Sequence, residues 1–542
     1  MAVLELARKN GPQCAAVLVA GLASLLLYAL GPQPCDDAYI TFRHAQHFSD
    51  ALRPVWNLDG PAAFGSTTPL YTLLLGALGL LSGSAHIDAL AFLLNLALHF
   101  VLVLLAYRCG FDMTRSQSHA LACALVVGCS SVGLYTAALG FETTLLTVCV
   151  FLVLDALARQ QYALAVAVAG AALLVRPEGI LVGALVWAWL VAGRRVSGRL
   201  LVIYLAAPLA WAGYAYVQFA QVVPQSIMAK RHFSAIYRPY IEHSFELSTR
   251  LALWPQDMLS LLGERVGPLL MTGSYANTPV SKLQIAALLF ALTGLLLLVF
   301  EWYARRDRRL AYLAYPLGFL LLYAVIGRTE VWYFASFTSS ALLLLTAGAA
   351  AAVQRLCARL APRLSTLAPA LVAGALMLTC NQFSFSAAAS PARLVPRAGD
   401  PRGLVWQANE RQRYDTYRAA AEFLNRQDQQ GLALISEVGV FGYYYHGPVF
   451  DAVGLCSPQA LRFYPPPHEE IFDSSGSYRT PANNFTPYAM IAAIQPQYVV
   501  NALIYSLNLL EADGPFLREY VELAKLGPAW GDFLYVFQRR AD

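Results

Sequence analysis

Long apolar runs recur along the first 380 residues of this chain, and they constrain its fold more than any other feature. Candidate spans lie near 13–30, 88–106, 119–138, 143–158, 161–175, 179–193, 200–219, 283–300, 310–326, 333–352 and 365–380. A bilayer crossing needs about 20 apolar residues, fewer where neighbouring helices tilt or thin the packing. Lipid offers no partner for exposed backbone, so runs of this length enter a membrane as helices. Composition agrees: of 542 residues 58% are hydrophobic and 13% charged, about half the charge of a soluble domain. Disorder is excluded by that hydrophobicity. A formal charge of +5 without a basic aromatic tract excludes a nucleic-acid partner.

Charge asymmetry divides the chain. Residues 381–542 hold 13 Lys+Arg and 16 Asp+Glu, leaving 25 basic and 17 acidic residues in 1–380. The expectation is a membrane domain over 1–380, with outer loops 31–87 and 220–282, and a water-soluble domain over 381–542. Arg8/Lys9, Arg108/Arg115, Arg159, Arg194/Arg195/Arg199, Arg305/Arg306/Arg308/Arg309 and Arg355/Arg359/Arg363 mark cytoplasmic connections. These clusters alternate correctly only if 31–87 stays outside, with the short run Pro69–Leu81 lying along the surface or re-entering. Eleven spans then put the N-terminus inside and the last domain outside, in the periplasm of a bacterium. Gln13–Leu30 lacks a small-residue cleavage site and reads as an uncleaved first span.

In this topology Asp36, Asp37, Glu142, Glu178 and Glu330 gather at the outer face. Charges at membrane depth are costly without partners or water. Each taken alone reads as a helix cap or ion-pair member; five at one face favour a shared polar cavity. Asp36-Asp37 directly follows the first span, and adjacent carboxylates repel, which calls for a raised pKa, a partner or a metal. A carboxylate there suits a general base toward a hydroxyl arriving from water, while one of the two serving as a cap fits equally. Tyr39, Phe42 and Phe48 follow at helical spacing, as in an interfacial helix. Arg176 sits in the Pro-Gly-broken junction Arg176-Pro177-Glu178-Gly179, either paired with Glu178 or holding an anionic headgroup. Lys230 and Arg328 are further cations for a phosphate.

The soluble part reads as an α/β or α+β domain. A helix is expected over Tyr414–Arg426 and strands over Leu432–Glu437, Tyr498–Asn501 and Phe533–Gln538, with a turn inside a strand pair over Glu437–Asp451. The nine cysteines show no CxxC and no zinc spacing, and a Cys35–Cys456 disulfide is one option for the outer side. No nucleotide-binding glycine loop or GxSxG occurs.

Read together and in order, Asp36-Asp37-Ala38-Tyr39-Ile40, Gly65-Ser66-Thr67-Thr68-Pro69, Gly140-Phe141-Glu142-Thr143, Arg176-Pro177-Glu178-Gly179, Pro224…Ala229-Lys230, Trp332-Tyr333-Phe334 and Glu437-Val438-Gly439…Phe450-Asp451-Ala452-Val453-Gly454-Leu455 carry a family likeness. They resemble bacterial GT-C glycosyltransferases of the terminal arabinofuranosyltransferase (AftB-like) and pilin arabinosyltransferase type. Thr68 and Thr144 depart from the pattern, as does Gln225-Ser226-Ile227 before Lys230.

The resemblance implies transfer of a sugar, arabinofuranose first, from a polyprenyl-phosphate donor to a periplasmic glycan or protein at the inner membrane. It implies Asp36 or Asp37 as the catalytic carboxylate. Arg176, Lys230 and Arg328 are the candidates for the donor phosphate. Glu142, Glu178, Glu330, Tyr39, Arg43, His44 and Tyr333 are candidates for binding or orienting the sugar. No cofactor is assigned, and the Asp pair leaves room for a divalent cation. The alternatives are a flippase or exporter of lipid-linked sugars, or a GT-C enzyme using another sugar such as mannose or aminoarabinose.

Overall fold

The structure, a computed structural model, describes residues 2–33, 35–237, 282–326, 331–360, 404–427, 430–465, 486–506, 508–510, 514–529 and 532–540, with single positions 270, 368, 371, 372 and 375. Most of the expected outer loop 220–282, most of the run 365–380, and Arg328 and Glu330 fall outside these residues.

In chain order the elements used below are α1 (Ala2–Leu30), α2 (Asp36–Ala51), α3 (Pro69–Ser82), α4 (Ile87–Thr114), α5 (Gln117–Gly128), α6 (Ser131–Ala138), α7 (Thr143–Ala158), α8 (Tyr162–Val175), α9 (Gly179–Ala192), α10 (Gly198–Phe219), α11 (Gln225–Tyr237), α12 (Lys282–Ala304), α13 (Ala314–Ile326), α14 (Ala335–Leu360), α15 (Leu404–Asn425), β1 (Ala433–Ile435), α16 (Gly439–Tyr444), β2 (Val449–Asp451), β3 (Tyr498–Ala502), β4 (Tyr520–Ala529) and β5 (Asp532–Arg539). Ten of the eleven expected spans are therefore helical. Among the described residues five helices are long and apolar enough to cross a membrane unaided, and α5 with α6 makes a sixth through a 47° bend. Helices α7, α8 and α9 are shorter apolar helices of the same kind. The chain is a multi-pass membrane protein.

Two compact units emerge: Met1–Gln33, Ala91–Ala210 and Leu251–Val405 form the first, and Pro34–Leu90, Trp211–Arg250 and Trp406–Asp542 the second.

The first unit is helical. Helix α1 packs on α5 and α6, where Leu27, Phe92, Leu134 and Ala137 form a fully or nearly buried cluster. Helices α7, α8 and α9 stack in succession, and α14 lies against α5, α7 and α12. The bend between α5 and α6 falls where Ser130 caps α6, its hydroxyl accepting the Gly133 N–H at 3.4 Å. A polar side chain that satisfies one of the open N–H groups lets the second helix restart in a new direction.

The second unit is a mixed sheet with helices packed on it. Strand order is β2-β1-β3-β5-β4; β1 runs parallel to β2 and β3, while β5 runs antiparallel to β3 and β4. Leu434 pairs with Phe450 on one side and Val499 on the other. A central strand covered on both faces carries an unbroken apolar run, and Ala433, Leu434 and Ile435 are fully buried. The expected strands are present, and so is the helix, longer than expected at its start. The stretch 437–451 differs: its first half is the short helix α16, and only Val449–Asp451 is strand. Its closely spaced apolar residues do not tell a buried helix from a strand. Pro69 opens α3, where its fixed φ suits the first turn, and α3 packs along α2.

Candidate active site

In the second unit, α2 presents two carboxylates in its first turn with different surroundings. Asp36 is half-buried, and its oxygens accept the backbone N–H groups of Gly439 at 3.1 Å and Val440 at 2.8 Å. It therefore caps α16, a helix some 400 residues away, rather than its own. The fit is close: a Cβ on Gly439 would lie 1.8 Å from the Asp36 carbonyl oxygen, and one on Gly442 2.8 Å from the Trp56 ring. Burial pushes the Asp36 carboxyl up to about 7, and the neighbouring Glu437 adds to this while Arg413 and the Val440 N–H oppose it. Glu437 is itself fixed, accepting Arg413 Nη2 at 2.7 Å and the Tyr505 hydroxyl at 3.1 Å. Asp37 is exposed, and among the described residues no hydrogen bond or ion pair engages its carboxylate. Of the pair, Asp36 is thus the member held by backbone.

The residues that follow on α2 build the unit. Arg43 is 3% exposed, and its five N–H donors have five acceptors. Nε reaches Trp56 O at 2.8 Å, Nη1 reaches Gly442 O and, at 3.1 Å, Tyr445 O, and Nη2 reaches Asn57 Oδ1 at 3.1 Å and Gly447 O at 3.2 Å. No donor is left for a sugar. Burial draws its pKa down to about 10, still far above neutral pH.

His44 has both ring nitrogens engaged, Nδ1 with Ile40 O at 2.8 Å and Nε2 with the Gly65 N–H at 3.1 Å. Nε2 must accept there, so the proton sits on Nδ1. Burial holds its pKa down to about 4, so the ring is neutral. Tyr39 is buried among the rings of Phe42, Tyr414, Tyr443 and Tyr444. All three residues, expected from the sequence to orient the sugar, are engaged in packing and bonding inside the protein.

The remaining loops are tied to the same frame. Asn57 pairs with Val449 as a strand would, donating to its carbonyl at 2.9 Å and accepting its N–H at 3.0 Å. Thr41, Ser66, Thr68 and Thr72 share a buried hydroxyl network with contacts of 2.9–3.4 Å. Asp451 accepts the N–H groups of Val453 at 2.8 Å and Cys456 at 2.6 Å, shaping the loop whose Gly454 carbonyl receives Gln225 Nε2 at 3.1 Å. With the Gln225 N–H on Phe64 O at 3.0 Å, this pins the start of α11. Lys230 is exposed on that helix. Cys35 and Cys456 are both thiols, so the disulfide considered from the sequence does not form.

The first unit holds a second charged cluster. Arg176, at the end of α8, is 6% exposed and lies between two carboxylates. Its Nη1 bonds Glu142, and its Nε and Nη2 each reach Glu178 at 3.1 Å in a fork. The Tyr323 hydroxyl donates to Glu178, and the half-buried Tyr333 ring lies 4.8 Å from the guanidinium carbon. Among the described residues the guanidinium is taken up by two carboxylates, which a phosphate entering this cluster would have to displace; the geometry favours the ion-pair reading of Arg176.

Sequence reasoning missed Tyr323 and Arg413. A tyrosine on an apolar helix and an arginine on an amphipathic one carry no local mark of what they meet. Among the described residues no three His, Cys, Asp or Glu side chains are arranged to hold a metal ion.

No family model and no curated protein matches the sequence. Solved structures do. ArnT from Cupriavidus metallidurans bound to undecaprenyl phosphate aligns with a TM-score of 0.58 at 12% identity, covering 97% of this chain and 98% of that one. Its apo state aligns at 0.56 and 12%, covering 96% and 97%. The Archaeoglobus fulgidus oligosaccharyltransferase in complex with Zn and sulfate aligns at 0.52 and 14%, covering 95% of this chain and 72% of that one. At such identities the likeness shows the fold alone: a multi-helix membrane protein with a small C-terminal sheet domain, shared with ArnT and with the oligosaccharyltransferase.

Proposed function

We propose that this protein is a GT-C glycosyltransferase that moves a sugar from a polyprenyl-phosphate donor to an acceptor in the periplasm. The observation that carries this reading is the exposed carboxylate of Asp37, unengaged among the described residues, beside an Asp36 fixed by backbone, in a fold shared with an ArnT structure bound to undecaprenyl phosphate. In this reading residues 1–380 form the catalytic membrane domain and 381–542 a periplasmic domain.

Asp37 takes the proton of the acceptor hydroxyl as its oxygen attacks the anomeric carbon. The bond from that carbon to the phosphate oxygen breaks, and the pair of electrons leaves with the lipid phosphate. Lys230, exposed in the same unit, is the cation that meets the growing negative charge. Asp36 positions Asp37 by anchoring the first turn of α2. Arabinofuranose is the donor sugar we favour, on the order and content of the motifs quoted above, with a cell-envelope glycan or protein as acceptor.

The test is a transfer assay in detergent or nanodiscs with synthetic polyprenyl-phosphoryl arabinofuranose, and with the mannose and aminoarabinose counterparts as competing donors. Product from the arabinofuranosyl donor above the others supports the assignment. Product from another donor alone corrects the sugar. Lipid-linked sugar moved across vesicles without any transfer makes the protein an exporter.

A further inference from the structure

At the arginine-rich end of the first unit, where α4, α12 and α14 finish and α5 begins, lies a cavity of about 510 Å³. It uses none of the residues placed in the transfer reaction. Arg115, Arg305, Arg309 and Arg355 line it, with Glu301 the one carboxylate among the lining residues. Glu301 is shared by Arg305, at 2.8 Å, and Arg355. Asp112 pairs with Arg115 at 2.9 Å, and Asp307 receives Arg309 Nε at 2.8 Å. Four guanidiniums against three carboxylates leave one positive charge. Arg305 and Arg355 each use one terminal nitrogen on Glu301, so further N–H donors remain.

Two neutral donors distinguish this cavity from an ordinary fringe of cytoplasmic arginines. His119 and Trp302 both line it, at 2% and 1% exposure. Among the described residues, neither ring nitrogen of His119 and not the Trp302 Nε1–H has a hydrogen-bond partner. Leaving such groups buried without a partner is destabilising. A neutral imidazole supplies one N–H and an indole one more. Two such donors facing a site of net positive charge match the oxygens of an anion, and guanidiniums match those of phosphate best. Basic pockets between helices on the cytoplasmic side are where anionic headgroups seat.

We propose that this cavity is a phosphate-binding site, filled by the phosphate group of a phospholipid headgroup or of a soluble phosphate compound. Trp302 Nε1–H and His119 would donate to one phosphate oxygen each, with Arg355 and Arg305 neutralising the charge.

The experiment uses the full chain in phosphatidylcholine nanodiscs at fixed ionic strength, its unfolding followed by tryptophan fluorescence. One arm titrates inorganic phosphate and the other replaces part of the lipid by phosphatidylglycerol. A rise in unfolding temperature with phosphate supports a soluble source, and a rise with phosphatidylglycerol a lipid one. Either effect should weaken by about tenfold in apparent affinity in Trp302→Phe, which keeps the ring and removes the donor, and in Arg355→Gln. Arg355 is exposed, so its variant folds even if the first does not. The proposal is overturned if neither ligand raises the unfolding temperature, or if the rise is unchanged in both variants.

Discussion

The carboxylate of Asp36 accepts the backbone N–H of Val440 at 2.8 Å across 404 positions of chain. This bond fixes where the first turn of α2 stands, and with it the neighbouring Asp37. Burial and the neighbouring Glu437 push the Asp36 carboxyl up against this bond, which by itself favours the ionised form.

Asp36 is pushed up to about 7 in the folded chain, chiefly by burial and then by Glu437. A folded value above the ordinary 3.8 means the folded state holds the proton more tightly than the unfolded one. The stabilisation from that proton is complete below pH 3.8 and is lost as pH rises through about 7. Asp36→Asn cannot titrate, so its unfolding temperature should fall less than the wild type's between about pH 5 and about pH 8. Thermal unfolding at both pH values checks this, and parallel slopes would contradict it.

Gly439→Ala should destabilise the protein by about 2 kcal/mol, the usual cost of forcing extra volume into a packed contact. The new methyl meets the Asp36 backbone, which has no flexible end to yield. The measurement is denaturant or thermal unfolding. Because the same contact sets α2, turnover should fall in the fraction that remains folded.

Arg176→Met should leave Glu142 and Glu178 buried without their cation and cost about 3–5 kcal/mol. Replacing all three with Glu142→Gln, Arg176→Met and Glu178→Gln should recover most of that loss. Folded yield and unfolding temperature measure both. A role in phosphate binding would instead leave the single variant folded, with a raised requirement for the lipid donor.

The membrane helices were legible because lipid demands long uninterrupted apolar runs, and β1 because a central strand is covered on both faces. Counting positive clusters leads to the expectation that Asp36 and Asp37 lie on the outer side. What the residues around them meet is not legible, because those partners are distant in sequence. Asp36 is satisfied by residues 439 and 440, Arg43 by 442, 445 and 447, and Arg176 by Glu142 34 positions earlier. Local patterning encodes which face is buried, not which distant loop covers it. The helix over 439–444 reads as strand from sequence for a related reason: six residues, five of them buried, carry too little periodicity to choose.

Lys230→Ala should lower kcat/KM for the lipid donor by about ten- to a hundredfold, the range for losing a charge-assisted contact to a phosphate. Lys230 is exposed, so folding should be unaffected. Lys230→Arg should restore part of the rate, which a purely structural role would not require. Initial rates against donor concentration give the answer.

The most direct test is single-turnover transfer from a polyprenyl-phosphoryl sugar by Asp37→Asn, beside the wild type, with unfolding temperature recorded for both. A general base contributes about 10²–10⁴ to rate, and Asp37 is exposed. The expected result is a rate lower by that factor at an unchanged unfolding temperature. Transfer at the wild-type rate by the folded variant would contradict the assignment of Asp37 as the base.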